Sequence, residues 1–236
     1  MIAGLQKMTL LDYPGKVACT VFLQGCNFRC PFCHNSGLLG APEQPLIPEE
    51  ALLSFLQKRQ GLLDGVCITG GEPTLHKNLP EMLTKIKNLG FSVKLDTNGY
   101  RPEVLKSLVR EGLVDYAAMD IKNCPERYAE TAGIPNLEIS KIEESMVFLL
   151  NGTLDYEFRT TVVRQFHTEK EIQAIGQWFQ HLSPNQKVKK YFLQPYTDRD
   201  SVLLGGLSAP NKADLRTFQK IAATYVHNAE IRGDEL

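Results

Sequence analysis

The feature that most limits what this chain can fold into is a repeated alternation of short apolar segments with longer amphipathic ones. Lys16 to Leu23, Gly65 to Thr69, Phe91 to Leu95, Val114 to Ile121, Asp155 to Val163 and Val188 to Leu193 read as strands. The first, KVACTVFL, shows no clean polar alternation, as expected when both faces of a parallel strand are buried. Between the strands, apolar residues recur at helical spacing, for example Leu79, Met82, Leu83 and Ile86, or Ile172, Ile175 and Phe179. Pro48 followed by Glu49 and Glu50 marks one helix start, and Thr168 with Glu171 makes a capping box at another. Six strand–helix units in a row predict a parallel sheet covered by helices, an α/β fold. Six is two short of a closed eight-unit barrel.

The unusual residues choose between an open sheet and an incomplete barrel. Cys26 to Cys33, Gly70 to Pro73, Asp96 to Gly99, Asp120 with Lys122, and Gln194 to Tyr196 all follow the C-terminal ends of strands. In α/β proteins that is the ligand-binding face. A curved sheet gathers such loops around one centre, which favours an incomplete (βα)6 partial TIM barrel with outer helices, taken as a single domain over residues 1–236.

In LQGCNFRCPFCHN, Cys26, Cys30 and Cys33 account for three of the six cysteines, at x3 then x2 spacing. A structural zinc site normally wants four protein ligands. His34 sits directly beside Cys33, where a short side chain struggles to reach the same ion. Three thiolates suit an iron–sulfur cluster with one open iron. Zinc and ordinary loop thiols remain the alternatives on spacing alone. Cys19 and Cys67 read as small buried hydrophobes, and Cys124 stands beyond a strand end.

Other residues carry two readings each. Gly70 and Gly71 allow a close approach of backbone to a ligand, or simply make a turn. Asp96-Thr97-Asn98-Gly99 contains an Asn-Gly turn signal, while Asp96 can also accept a bond from a ligand. Asp120 and Lys122 share a strand face, and Arg159 is a lone charge in an apolar strand. If these point inward they need partners, because buried charges do not stay unpaired. His76 lies on the functional face without an identifiable partner, and His167, His181 and His227 read as solvated or capping side chains.

Charge excludes several function classes. With 26 basic and 27 acidic residues the formal charge is -1, so neither a nucleic-acid nor a membrane surface is expected. The opening MIAGLQKMTLLDYPGK lacks the pattern of a secretory leader, and no run reaches the length of a membrane span. A cytoplasmic protein with reduced cysteines is the expectation.

Taken in order, LLDYPGKVACTVFLQGC, CNFRCPFCHN, GGEPTL, DTNG and the DIK segment resemble the radical S-adenosylmethionine superfamily, across roughly residues 4 to 196. Within it they are most similar to activating proteins of anaerobic ribonucleoside-triphosphate reductase and other glycyl-radical-enzyme activases. The resemblance implies an oxidoreductase whose [4Fe–4S] cluster is held by Cys26, Cys30 and Cys33 and whose open iron binds S-adenosylmethionine. It implies that Gly70, Gly71 and Glu72 receive the methionine amino group, with Asp96, Thr97 and Asn98 near the methionine end. Lys122 and Arg159 would contact carboxylate and ribose, and Phe32 the adenine. A monovalent cation would sit near Asp96 and Asp120. The implied partners are a glycyl-radical enzyme and a flavodoxin- or ferredoxin-type electron donor. Gln194-Pro195-Tyr196-Thr197 lacks the histidine of formate-lyase-type activases, and an eight-cysteine ferredoxin-like insertion is missing. Both departures favour the ribonucleotide-reductase type over the formate-lyase branch and other activases, although a maturase for another substrate could share them. A radical enzyme acting on a small molecule or another protein is the nearest alternative, and a zinc- or cluster-binding interaction protein is the alternative of another class.

Overall fold

The computed structural model describes residues 1–42, 44–198 and 201–233. Its strands are β1 (Ile2–Thr9), β2 (Ala18–Leu23), β3 (Gly65–Gly70), β4 (Ser92–Thr97), β5 (Tyr116–Asp120), β6 (Asp155–Val162), β7 (Val188–Pro195) and β8 (Val226–Ile231). Helices α1 (Glu49–Gln57), α2 (Leu79–Asn88), α3 (Pro102–Arg110), α4 (Pro125–Ala132), α5 (Ile139–Asn151), α6 (Glu169–Leu182) and α7 (Lys212–Ala223) alternate with them. The strands follow chain order in one unclosed sheet. β1 runs antiparallel to β2, whereas β2–β3, β3–β4, β6–β7 and β7–β8 are parallel. This is an α/β partial barrel, and all six anticipated strands are present within a few residues of their expected ends.

Three elements were not anticipated. β1 and β8 flank the six strands, and neither IAGLQKMT nor VHNAEI carries a buried-strand signature, because both leave residues exposed. α4 buries Tyr128, Thr131 and Ala132, too few apolar positions to form a recognisable stripe. Its ends were nonetheless written in Pro125 at the first turn and Gly133 just beyond the last.

The chain divides into two compact units. The first comprises residues 1–27, 35–97 and 101–118. Here Thr20, Cys67 and Lys94 lie in register across β2, β3 and β4, and all three are buried. So are Val21, Ile68 and Leu95 on the opposite face. Burial on both faces is why these strands do not alternate in sequence. Leu79, Met82, Leu83 and Ile86 form the buried stripe of α2, as the spacing predicts. α1 buries Leu52 and Leu56, while Ala51 is exposed and Phe55 half-buried.

The second unit comprises residues 28–34, 98–100 and 119–236. Aromatic rings pack α6 onto its strands: Phe158 stacks on Phe179 at 5.4 Å, and Phe179 meets Tyr191 edge-on at 5.2 Å. The capping box of Thr168 and Glu171 forms as expected. Arg232, just after β8, binds fully buried Glu157 of β6 through two hydrogen bonds of 2.8 and 2.9 Å. Its guanidinium also lies 3.9 Å from the Phe192 ring centroid. Removing Arg232 takes two charge-assisted hydrogen bonds from a fully buried carboxylate, whose desolvation they offset. Arg232→Met is therefore expected to lower stability by about 2 kcal/mol or more, whereas Glu157→Gln with Arg232→Met recovers part of that loss. Urea unfolding of the four proteins of this cycle measures both.

Candidate cofactor site

In the first unit, backbone proximity is the organising constraint. Gly71 donates to the Leu23 carbonyl and Glu72 to that of Gly25, each at 2.8 Å. A β-carbon on Gly71 would lie 1.9 Å from the Gly25 oxygen. One on Gly70, whose φ is +116°, would lie 2.3 Å from the Leu23 nitrogen. The two glycines thus let the β3 exit lie against the segment leading into Cys26. Asn35 reinforces this by donating to the Gly70 carbonyl at 3.0 Å.

Glu72 is buried and works locally. Its Oε1 accepts from Thr74 N–H at 3.1 Å, the Thr74 hydroxyl at 2.6 Å and the Thr97 hydroxyl at 2.8 Å. The last bond joins the Gly-Gly-Glu-Pro turn to Asp-Thr-Asn-Gly. Asp96 is engaged by Lys94, whose Nζ lies 2.5 Å from Oδ1 and 3.8 Å from Cys67 Sγ. Lys94 escaped the sequence reading, although a charged residue at the strand parity of Asp96 was the same signal that singled out Arg159. His76 does have a partner: its Nε2 lies 2.8 Å from the Gln24 carbonyl oxygen.

In the second unit, residues 28–34 are held from several sides. Arg29 N–H donates to the Ala132 carbonyl at 2.8 Å, and Cys30 Sγ lies 3.9 Å from the same oxygen. Gly133, at φ +67°, permits this, because a β-carbon there would meet the Arg29 carbonyl oxygen at 2.1 Å. Cys33 N–H closes a turn onto Cys30. His34 stacks on Tyr196 at 5.4 Å, and Leu204 N–H bonds the Pro31 carbonyl. Phe32 is buried against Phe166 and His167. Asn98 accepts from Tyr100 N–H within its own turn at 3.0 Å.

Asp120, Lys122 and Arg159 come together. Lys122 Nζ donates to Asp120 Oδ2 at 2.8 Å, and Arg159 Nε donates to Oδ1. Burial alone would raise the Asp120 carboxyl, but Arg159 and Lys122 outweigh it and hold the group well below the usual carboxylate range. Burial would likewise lower Lys122, yet Asp120, then Cys30, keep its ammonium above its ordinary value. Burial pushes the Cys30 thiol up to about 11, with Lys122 opposing.

His167 is buried, contrary to the solvated or capping role its sequence context suggests. Val163 N–H donates to Nδ1 at 3.1 Å, which leaves Nε2 to donate to the Lys122 carbonyl at 2.9 Å. Burial, with Arg127 adding to it, pushes the imidazole down to about 4 against the opposing backbone bonds and Glu171. Asn123, also buried and also missed, donates to the Phe166 carbonyl at 3.1 Å. No periodic signal marks either residue.

All six cysteines are thiols rather than disulfides. Among the described residues, no group of three or more His, Cys, Asp or Glu side chains is gathered so that it could hold a metal ion. What suits a cluster is therefore the donor set. Cys26, Cys30 and Cys33 lie within one eight-residue span, and a cation beside Cys30 favours the thiolate needed for ligation.

A partial α/β barrel with a three-cysteine segment after its first parallel strand, followed by polar strand-end turns, defines a class of cluster-dependent enzymes. The Radical SAM superfamily model matches residues 20–174. The chain belongs to the radical S-adenosylmethionine superfamily, whose enzymes use a [4Fe–4S] cluster and S-adenosylmethionine. A Methanocaldococcus jannaschii protein described as a glycyl-radical enzyme activating enzyme is 32% identical over 240 residues, covering 98% of this chain and 95% of its own. A Thermococcus kodakarensis protein described as a GTP 3′,8-cyclase is 36% identical over 132 residues, covering 53% of this chain and 42% of its own. The crystal structure of a domain of pyruvate-formate lyase-activating enzyme from Bacteroides vulgatus shares the fold, with a TM-score of 0.58 and 21% identity. That match covers 72% of this chain and 99% of the other. No helix among the described residues is long and apolar enough to cross a membrane.

Two outcomes follow from this geometry. Gly71→Ala is expected to cost about 3 kcal/mol or more, because the clash is with backbone. Gly90→Ala, at φ +89° with nothing within 4 Å, should cost about 1 kcal/mol through backbone strain alone. Denaturant titration separates the two. His167 gives a pH signature. Between about 6.5, its ordinary value, and about 4 the unfolded chain binds a proton that the native chain refuses. Stability should therefore fall as pH drops through that window, by up to about 3 kcal/mol. Comparing iron-free wild type with His167→Gln isolates this share.

Proposed function

We propose that this chain activates a glycyl-radical enzyme, most specifically an anaerobic ribonucleoside-triphosphate reductase. The observation that carries the reading is the near full-length similarity to a protein described as an activating enzyme. In this reading Cys26, Cys30 and Cys33 hold the cluster. Gly70, Gly71 and Glu72 form the turn receiving the amino group of S-adenosylmethionine, and Asp96, Thr97 and Asn98 lie towards its methionine end. Lys122 and Arg159 bind its anionic and ribose oxygens, Asp120 keeps both cations in place, and Phe32 serves the adenine. The working domain is residues 1–236, in a reducing cytoplasm, with a flavodoxin- or ferredoxin-type donor.

With Cys26, Cys30 and Cys33 holding it, the cluster with S-adenosylmethionine would supply one-electron, hydrogen-atom-abstracting chemistry directed at a glycine Cα of the partner, the electron coming from the flavodoxin- or ferredoxin-type donor. The chain's own task is placement. It holds cations where a ligand carboxylate must dock, and it keeps charged groups compensated so that little water need enter. Asp120 holds two cations at once, leaving one positive charge in excess among the three residues. That excess suits an anionic ligand group. No acid–base pair is required for hydrogen-atom transfer.

A second reading, chemistry on a small molecule, is favoured by the similarity to the GTP cyclase-like protein, although that match covers about half of each chain. The test is anaerobic reconstitution, reduction and addition of S-adenosylmethionine, with and without the reductase. Formation of 5′-deoxyadenosine together with a doublet electron paramagnetic resonance signal on the reductase supports activation. Cofactor cleavage without any protein radical removes the partner claim. Zinc without iron or labile sulfide, or cleavage undiminished in Cys30→Ala, removes the cluster assignment. Lys122→Met should raise the S-adenosylmethionine concentration for half-maximal cleavage by about tenfold or more.

A further inference from the structure

Lys122 side chain and Phe32 belong to different segments of the second unit, and a single buried ring touches the surroundings of both. We propose that His167 is a positioning residue that fixes the β5 exit and the cysteine segment relative to each other, thereby setting where the Lys122 cation is presented. The proposal rests on the reading of Lys122 and the cysteine segment as cofactor-binding.

The geometry makes His167 a three-way tie. A backbone N–H can only donate, so Nδ1 accepts from Val163 N–H at 3.1 Å and closes the turn that ends β6. The proton then sits on Nε2, which donates to the Lys122 carbonyl at 2.9 Å. The ring edge faces Phe32, with centroids 6.4 Å apart and planes at 69°. The imidazole is 1% exposed, so water does not compete for these contacts. Neighbouring bonds hold the turn but do not replace this one. Asn123 and Arg127 both donate to the Phe166 carbonyl, at 3.1 and 2.9 Å, so they anchor the turn itself. His167 is the residue among them that grips the Lys122 peptide. One residue upstream, Ile121 N–H reaches the Arg159 carbonyl at 2.8 Å and the Ile121 carbonyl accepts from the Thr160 hydroxyl at 2.7 Å, so β5 is held up to Lys122, and the Lys122 carbonyl itself is taken by the imidazole.

A hydrogen-bond donor and acceptor of fixed spacing on a rigid ring does this better than an apolar side chain of similar size. Phe at 167 would retain volume and the edge contact with Phe32 but would leave the Lys122 carbonyl and Val163 N–H without their partner, a loss felt in full when both are buried. Gln retains a donor and an acceptor at the cost of a flexible stem. The expected order of function is wild type, then His167→Gln, then His167→Phe.

The experiment has two arms. In iron-free protein, hydrogen–deuterium exchange should rise about tenfold in peptides covering residues 28–34 and 119–124 of His167→Phe, and less in His167→Gln, with α7 and β8 unchanged. In reconstituted protein of matched iron content, His167→Phe should raise the S-adenosylmethionine concentration for half-maximal cleavage about tenfold with a smaller change in maximal rate, and His167→Gln should recover part of it. Unchanged exchange in both peptides overturns the proposal whatever the loaded enzyme does. Raised exchange with an unaltered concentration dependence overturns it as well, since the tie would then be merely structural. If wild type itself cleaves no S-adenosylmethionine, the proposed function fails, and the positioning proposal falls with it because nothing is being presented. A uniform rise in exchange marks global destabilisation; the comparison then passes to His167→Gln, where localised exchange supports the proposal and its absence overturns it.

Discussion

The carboxylate of Asp120 is the interaction on which the polar half of the second unit depends. A lone ionised group in that setting would protonate or draw in water. Here it takes Lys122 from its own strand end and Arg159 from β6, so three charges that would each be costly become mutually supporting. The arrangement also fixes chemistry. Lys122 stays a cation through the whole working range, because losing its proton would abandon Asp120. The same ammonium opposes the burial that keeps Cys30 protonated. A ligand that removes the thiol proton therefore meets a partner already charged to stabilise the thiolate.

The first unit solves a different problem, that of bringing two backbones together. Gly70 and Gly71 carry no side chain because Leu23 and Gly25 occupy the space where one would be. Once the turn is seated, Glu72 can be spent on hydroxyl and amide donors rather than on solvent. It thereby joins β3 to the end of β4 through Thr97. Lys94 and Asp96 add an ion pair with almost no exposure, 2% for the lysine side chain and 11% for the aspartate.

Much of this was legible in the sequence, for identifiable reasons. Strands buried on both faces announce themselves as apolar runs, and Asp96, Asp120, Lys122 and Arg159 stood out because charge inside such a run demands an explanation. Strand parity showed that Asp120 and Lys122 share a face and need partners, but not that they pair with each other, and the arrival of Arg159 required the neighbouring strand. What escaped were residues whose role depends on contacts far along the chain. His167 precedes the capping Thr168 and looks like part of a helix start; the Lys122 carbonyl that holds it lies 45 residues away. Asn123 looks like a loop residue until the Phe166 carbonyl is placed beside it. Gly70 and Gly71 were recognised as close-approach residues, but what the backbone approaches is another part of this chain.

The bounds of the superfamily match also fall at a definable place in the fold. The superfamily match ends at residue 174, after β6 and before β7, α7 and β8. It therefore contains the cysteines, the Gly-Gly-Glu turn, Asp96, and the Asp120–Lys122–Arg159 triad. These are the residues proposed above to handle the cofactor. The elements beyond it are tied back by Arg232, which leaves the end of β8 to neutralise Glu157 in the middle of β6. Tyr196, at the end of β7, likewise stacks on His34 immediately after the last clustered cysteine. The C-terminal portion is thus bonded both to β6 and beside the cysteine segment. Similarity persists through this portion in the relative matched over 98% of the chain, whereas the superfamily match stops short of it.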